Sequence, residues 1–124
     1  MRQDYREGGG FEEAAAYSRA VRIGPHVAVS GTAARGGGDA YTQAREAVDR
    51  ALAAAAELGA GAGDVLRTRL LLAPGCDWEA VVRAHREAFD GLNPANTTYF
   101  VAGFIPEGVL VEVELDAVVP APPR

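Results

Sequence analysis

Two stretches of helical period, each set between runs of strand character, constrain this chain more than any other feature. Residues 40–58 carry Ala44, Val48, Ala51, Leu52, Ala55 and Leu58 at steps of three and four, one apolar stripe along a helix. Asp39 precedes the stripe, a residue whose carboxylate accepts free backbone N–H groups, and Gly59 and Gly61 follow it as stops. A second such stretch begins after Asp77, with Trp78, Val81, Val82, Ala88, Phe89 and Leu92 on its expected buried side; Gly91 and Pro94 end it. Segments 17–23 and 26–30, split by Gly24-Pro25, read as an antiparallel hairpin. The apolar run at 64–72 fits a central strand, 99–104 a further strand, and 109–119 alternates, with Val109, Val111, Val113, Leu115, Ala117 and Val119 on one face. The expected order is β-β-α-β-α-β-β. Crossovers of one helix each pack on one face of a single sheet, which predicts an α+β sandwich. Residues 1–14, with the triplet Gly8-Gly9-Gly10, read as a mobile N-terminal arm, 15–119 as one domain and 120–124 as a Pro-rich tail.

Composition narrows the chemistry. Of the 124 residues 25 are Ala, so the bulky core is thin and a partner subunit is expected to complete it. No apolar run approaches the roughly 18 residues of a membrane span, and the polar start has no signal-peptide stretch, which together predict a cytoplasmic protein. A net charge of −5 opposes binding to nucleic-acid phosphates. All 12 basic residues are Arg; without Lys there is neither a Schiff-base lysine nor a Walker-type phosphate loop. Cys76 stands alone, and His26 and His85 have no partners at ligand spacing, so no metal site is expected.

Glu112, Glu114 and Asp116 share the other face of the alternating strand. They read either as a solvated edge or as a set of which one, Glu112 by preference, sits in a cleft as general acid or base. Asn96-Thr97-Thr98-Tyr99, between a helix end and a strand, reads as a ligand-facing turn or a self-satisfied one, and Ser30-Gly31-Thr32 as a hairpin end where a ligand could approach the backbone. Arg67 and Arg69 share a strand face, as a cationic patch or as side chains snorkelling beneath a helix. Trp78 is expected to anchor its helix to the sheet, and His85 to be a packed or half-exposed structural residue.

In sum, Tyr17-Ser18-Arg19-Ala20-Val21-Arg22-Ile23-Gly24 and Val29-Ser30-Gly31, followed by Asp64-Val65-Leu66-Arg67-Thr68, Asp77-Trp78, Asn93-Pro94-Ala95 and Val111-Glu112-Val113-Glu114, resemble the RidA/YjgF family of enamine/imine deaminases over residues 15–119. The resemblance implies a chorismate-mutase-like fold, a homotrimer with clefts between subunits, and hydrolysis of imines and enamines such as 2-aminoacrylate with neither metal nor organic cofactor. It further implies substrate-positioning roles for Tyr17 and Glu112. The family's carboxylate-gripping arginine follows a Pro-Ala pair; here Pro94-Ala95 is followed by Asn96. A neutral amide cannot reproduce a charge-assisted bidentate contact. The expectation is therefore weak activity on 2-aminoacrylate and a different or less anionic substrate, held by hydrogen bonds from Asn96, Thr97 and Thr98. A trimeric protein that binds a metabolite without turning it over is the alternative; RNA cleavage, sometimes ascribed to the family, fits poorly with the charge.

Overall fold

The computed structural model describes residues 1–121. Its elements run β1 (Arg2–Tyr5), α1 (Gly10–Ala15), β2 (Ala20–Ile23), β3 (His26–Thr32), α2 (Ala40–Glu57), β4 (Val65–Leu72), α3 (Trp78–Phe89), β5 (Ala95–Phe100) and β6 (Val111–Val118), with a 3-10 turn at Ala62–Asp64 before β4. The six strands form one sheet in the order β1-β2-β3-β6-β4-β5. Among the described residues only β4 and β5 pair in parallel, joined by the crossover through α3 that a parallel pair needs. Both long helices pack on one face of the sheet, which confirms the α+β class.

The core lies between that face and α2. Ala44, Ala47, Ala51 and Ala55 are buried along α2 against Val111, Val113, Leu115 and Ala117 of β6. Small helix residues let the backbone settle close to the sheet, so the alanine-rich core is shallow rather than defective. Asp39 and Asp77 cap the helices as expected, accepting from the backbone N–H of Thr42 at 2.8 Å and of Ala80 at 3.2 Å. Arg22 closes the other end of α2 by donating to the Leu58 carbonyl at 2.8 Å.

Four expectations need correction. Within residues 1–14, read as a mobile arm, Arg2–Tyr5 pairs antiparallel with β2 and Gly10–Ala15 is helical. β1 is an edge strand exposed along most of its length, so it needs no apolar alternation and left no trace of one. The strand placed at 99–104 begins at Ala95, which puts Asn96, Thr97 and Thr98 in β5 rather than in a turn. Trp78, Val82 and Leu92 point outward (51%, 40% and 48% exposed); α3 buries Ala80, Val81, Ala84 and Phe89 instead. Leu66 occupies a bulge where β4 slips one residue against β6, and is exposed. Of the tail at 120–124, residues 122–124 lie outside the described residues.

Candidate functional site

The face of the sheet turned away from α2 and α3 carries the alternate residues of each strand, and on β6 these are Glu112, Glu114 and Asp116. β6 is flanked by β3 and β4, so these carboxylates do not line an edge. Arg69 sits across from Glu114 on β4 and pairs with it at 3.6 Å and with Asp116 at 3.3 Å. Neither Arg69 nor Arg67 lies beneath a helix, since β4 turns Thr68, Leu70 and Leu72 toward the helices. Glu112 is left with no ion-pair partner among the described residues.

Glu112 stands at the floor of a two-lobed cleft. Phe11, Tyr17, Gly31 and Glu112 belong to both lobes. One lobe, about 490 Å³, is walled by Leu71, Val101, Phe104, Ile105 and Pro106 and is strongly apolar. The other, about 400 Å³, is polar and includes Arg19, Arg35, Arg50, Glu7 and Glu12. Burial raises the Glu112 carboxyl above the ordinary glutamate range; the Arg19 guanidinium opposes the rise and Glu114 adds to it.

Gly31 permits this arrangement. Between Val29 and Thr32, β3 holds one residue more than β6 opposite it, a bulge that carries the Ser30-Gly31 backbone toward the cleft. A Cβ on Gly31 would lie 2.5 Å from Glu112 Oε1, so only glycine leaves the carboxylate where it is. Ser30 turns away: its hydroxyl donates to the Ser18 carbonyl at 2.6 Å and ties β3 to the segment before β2.

Two anchors missed in the sequence hold the walls. Gln43 is buried on α2; its amide donates to the Gly38 and Gly108 carbonyls, each at 3.1 Å, and accepts from Leu110 N–H at 2.9 Å. It fastens the loop that supplies Phe104, Ile105 and Pro106. Its position inside an apolar helical stripe was the available signal. Glu7 is bridged by Arg35 at 2.8 Å and Arg50 at 2.9 Å, which holds the N-terminal wall.

The structure brings Tyr17, Gly31 and Glu112 together but puts Asn96, Thr97 and Thr98 outside this cleft within the chain. Asn96 Oδ1 accepts from the Thr98 hydroxyl at 2.8 Å and Nδ2 donates to Thr68 Oγ1 at 3.0 Å. Thr68 Oγ1 is in turn 2.8 Å from His85 Nε2 on α3. Burial lowers the His85 pKa, which favours the neutral imidazole beside Thr68. Both ends of the Asn96 amide are thus engaged internally. Thr97 is exposed on the face bearing Arg69.

A sequence model described as Endoribonuclease L-PSP matches residues 10–119. An uncharacterized protein of Streptomyces coelicolor, SCO2049, is 43% identical over 118 residues, covering 90% of this chain and 88% of that protein. The crystal structure of Rv2704 from Mycobacterium tuberculosis, described as a member of the highly conserved YjgF/YER057c/UK114 family, superposes with a TM-score of 0.91 at 40% identity, covering 96% of this chain and all of that one. NMB1025 from Neisseria meningitidis, described as a YjgF-family member, shares the fold at a TM-score of 0.83 and 19% identity, with 98% of each chain covered.

Proposed function

Because this chain belongs to the YjgF/RidA family, we propose that it is a small-molecule hydrolase of the cytoplasm, acting without metal or organic cofactor on an imine, an enamine or a similarly activated metabolite. The observation that carries the reading is Glu112: a half-buried carboxyl of raised pKa, held against Gly31 at the floor of a cleft, with Tyr17 beside it. A carboxyl moved toward the working pH both takes and returns protons.

In the proposed reaction Glu112, as carboxylate, takes a proton from water while the water oxygen bonds to the carbon of a protonated C=N group. The proton passes to nitrogen. The C–N bond then breaks as the hydroxyl gives its proton to Glu112, leaving a carbonyl compound and ammonia. Tyr17 orients the substrate through its hydroxyl. With Asn96 in place of the arginine, 2-aminoacrylate is a poor substrate: the amide is neutral, and its hydrogen bonds to Thr68 and Thr98 compete with any substrate contact.

We also propose a homotrimer, with the uncovered sheet face as its interface. Val21, Ile23, Ala28, Val118 and Tyr99 on that face have no helix above them, and Ile23 and Tyr99 are 53% and 43% exposed. The endoribonuclease wording of the family's description suggests RNA as a substrate, but three carboxylates on this face and a net charge of −5 repel a phosphate chain.

The test is ammonia release from a panel of imines and enamines, 2-aminoacrylate included, by the wild type, Glu112→Gln and Tyr17→Phe. Turnover by the wild type that Glu112→Gln loses supports the reading. Binding without turnover by any of the three proteins overturns it in favour of metabolite capture.

A further inference from the structure

The polar lobe holds six charged residues, and four of them satisfy one another or the backbone. Glu7 pairs with Arg35 and Arg50, and Glu12 accepts from the backbone N–H groups of Glu7 and Gly9, each at 3.1 Å. Arg19 and Glu112 remain, and no ion pair joins them within 4 Å among the described residues. Arg19 is half-buried beside the Tyr17 ring, its guanidinium carbon 5.4 Å from the ring centroid. Its Nη1 donates to the Gly31 carbonyl at 3.1 Å and reaches Thr32 Oγ1 at 3.5 Å, which fixes the plane of the group. Among the described residues Nη2 and Nε have no protein acceptor. A half-buried, oriented guanidinium with its other donors free is prepared for a planar oxyanion.

We infer that Arg19 anchors a carboxylate in this cleft, and that the ligand joins one such head group to an apolar body lying in the lobe of Phe104, Ile105 and Pro106. The inference deepens the proposed function and rests on the same cleft. One negative charge is favoured over two, since Glu7, Glu12 and Glu112 border the site. The apolar body distinguishes this ligand from the smallest imino acids, which would leave the 490 Å³ lobe unfilled. Arg19 lies in the sequence among ordinary strand residues, and only the bulge at Ser30-Gly31 brings the Gly31 carbonyl to it.

The experiment measures calorimetric affinities for 4-phenylbutyrate, its uncharged analogue 4-phenylbutyramide, and acetate. In the wild type the acid is expected to bind roughly tenfold or more tightly than the amide, the worth of a charge-assisted contact, with acetate weaker than either. Arg19→Gln abolishes the preference for acid over amide, and Arg19→Lys, which keeps the charge but not the fork, retains part of it. Phe104→Ala weakens both phenyl probes alike and leaves their ratio unchanged. Equal wild-type affinity for acid and amide, an undiminished preference in Arg19→Gln, or no binding of the acid at millimolar concentration overturns the inference. Should Arg19→Gln fail to fold, as read by its melting curve, an undiminished preference in Arg19→Lys is the overturning result. The acid preference without imine hydrolysis leaves Arg19 as an anion anchor and removes the hydrolase; hydrolysis without the preference does the reverse.

Discussion

At position 112 a carboxylate is held where its charged form is least comfortable, and the sequence around it explains both the discomfort and its tolerance. Burial raises the pKa, so between the ordinary glutamate value and the raised one the folded protein binds more protons than the unfolded chain. That contribution to stability is complete below the unfolded value near 4.5 and is lost as pH rises through the folded one. Glu112→Gln is therefore expected to melt higher than the wild type at neutral pH while kcat/KM falls by about 10²–10⁴-fold, as for loss of a general acid–base; a lower melting temperature contradicts the account. Gly31→Ala pushes the carboxylate aside rather than the backbone, because the atom it meets is the end of a flexible side chain. Its expected signature is activity lost well beyond any change in the thermal midpoint. The sequence offered Glu112 by preference among three carboxylates on one strand face. What separates them is Arg69, which pairs with the other two, and that choice depends on strand register, which pattern alone does not supply.

The elements divide by what stabilises them. α2, α3 and β6 were legible because caps and burial write directly into sequence: Asp39, Asp77 and the Val-x-Val-x-Leu-x-Ala alternation all act locally. β1 and α1 were not, since they depend on pairing with β2 and on the Glu7 ion pairs, both long-range. β5 was displaced because Asn-Thr-Thr resembles turn chemistry, whereas two β-branched threonines also suit a strand once β4 is alongside. Asp39→Ala is expected to lower the stability through its lost cap, read as a smaller midpoint in urea unfolding. Gln43→Leu leaves the Leu110 N–H unsatisfied, a penalty of roughly 1–3 kcal/mol, and loosens the cleft wall. Its kinetic mark is a raised KM. His85 sets a pH dependence of opposite sense to Glu112: with its folded pKa depressed by burial, its contribution is complete above the unfolded value near 6.5 and declines as pH falls through it. Unfolding free energies at pH 7.5 and 5.5 should accordingly differ more for the wild type than for His85→Gln.

At the scale of the whole molecule, a sheet that packs α2 and α3 on one face leaves the other face to carry both the Glu112 cleft and the surface proposed for association. Each β6 residue that faces the helices makes core, and each that faces away makes either the cleft or an ion pair. The thin alanine core, read from composition as a need for a partner, accompanies a face with exposed Ile23 and Tyr99, the surface proposed for that contact. Sedimentation is expected to give about three times the 12.9 kDa chain mass; a monomer at micromolar concentration contradicts the proposed assembly. The central claim, that Glu112 moves protons during hydrolysis of a C=N bond, is tested most directly by the pH dependence of kcat/KM for ammonia release. The account predicts a limiting ionisation above the ordinary glutamate range in the wild type, with activity all but lost in Glu112→Gln. A Glu112→Gln enzyme as fast as the wild type would contradict it.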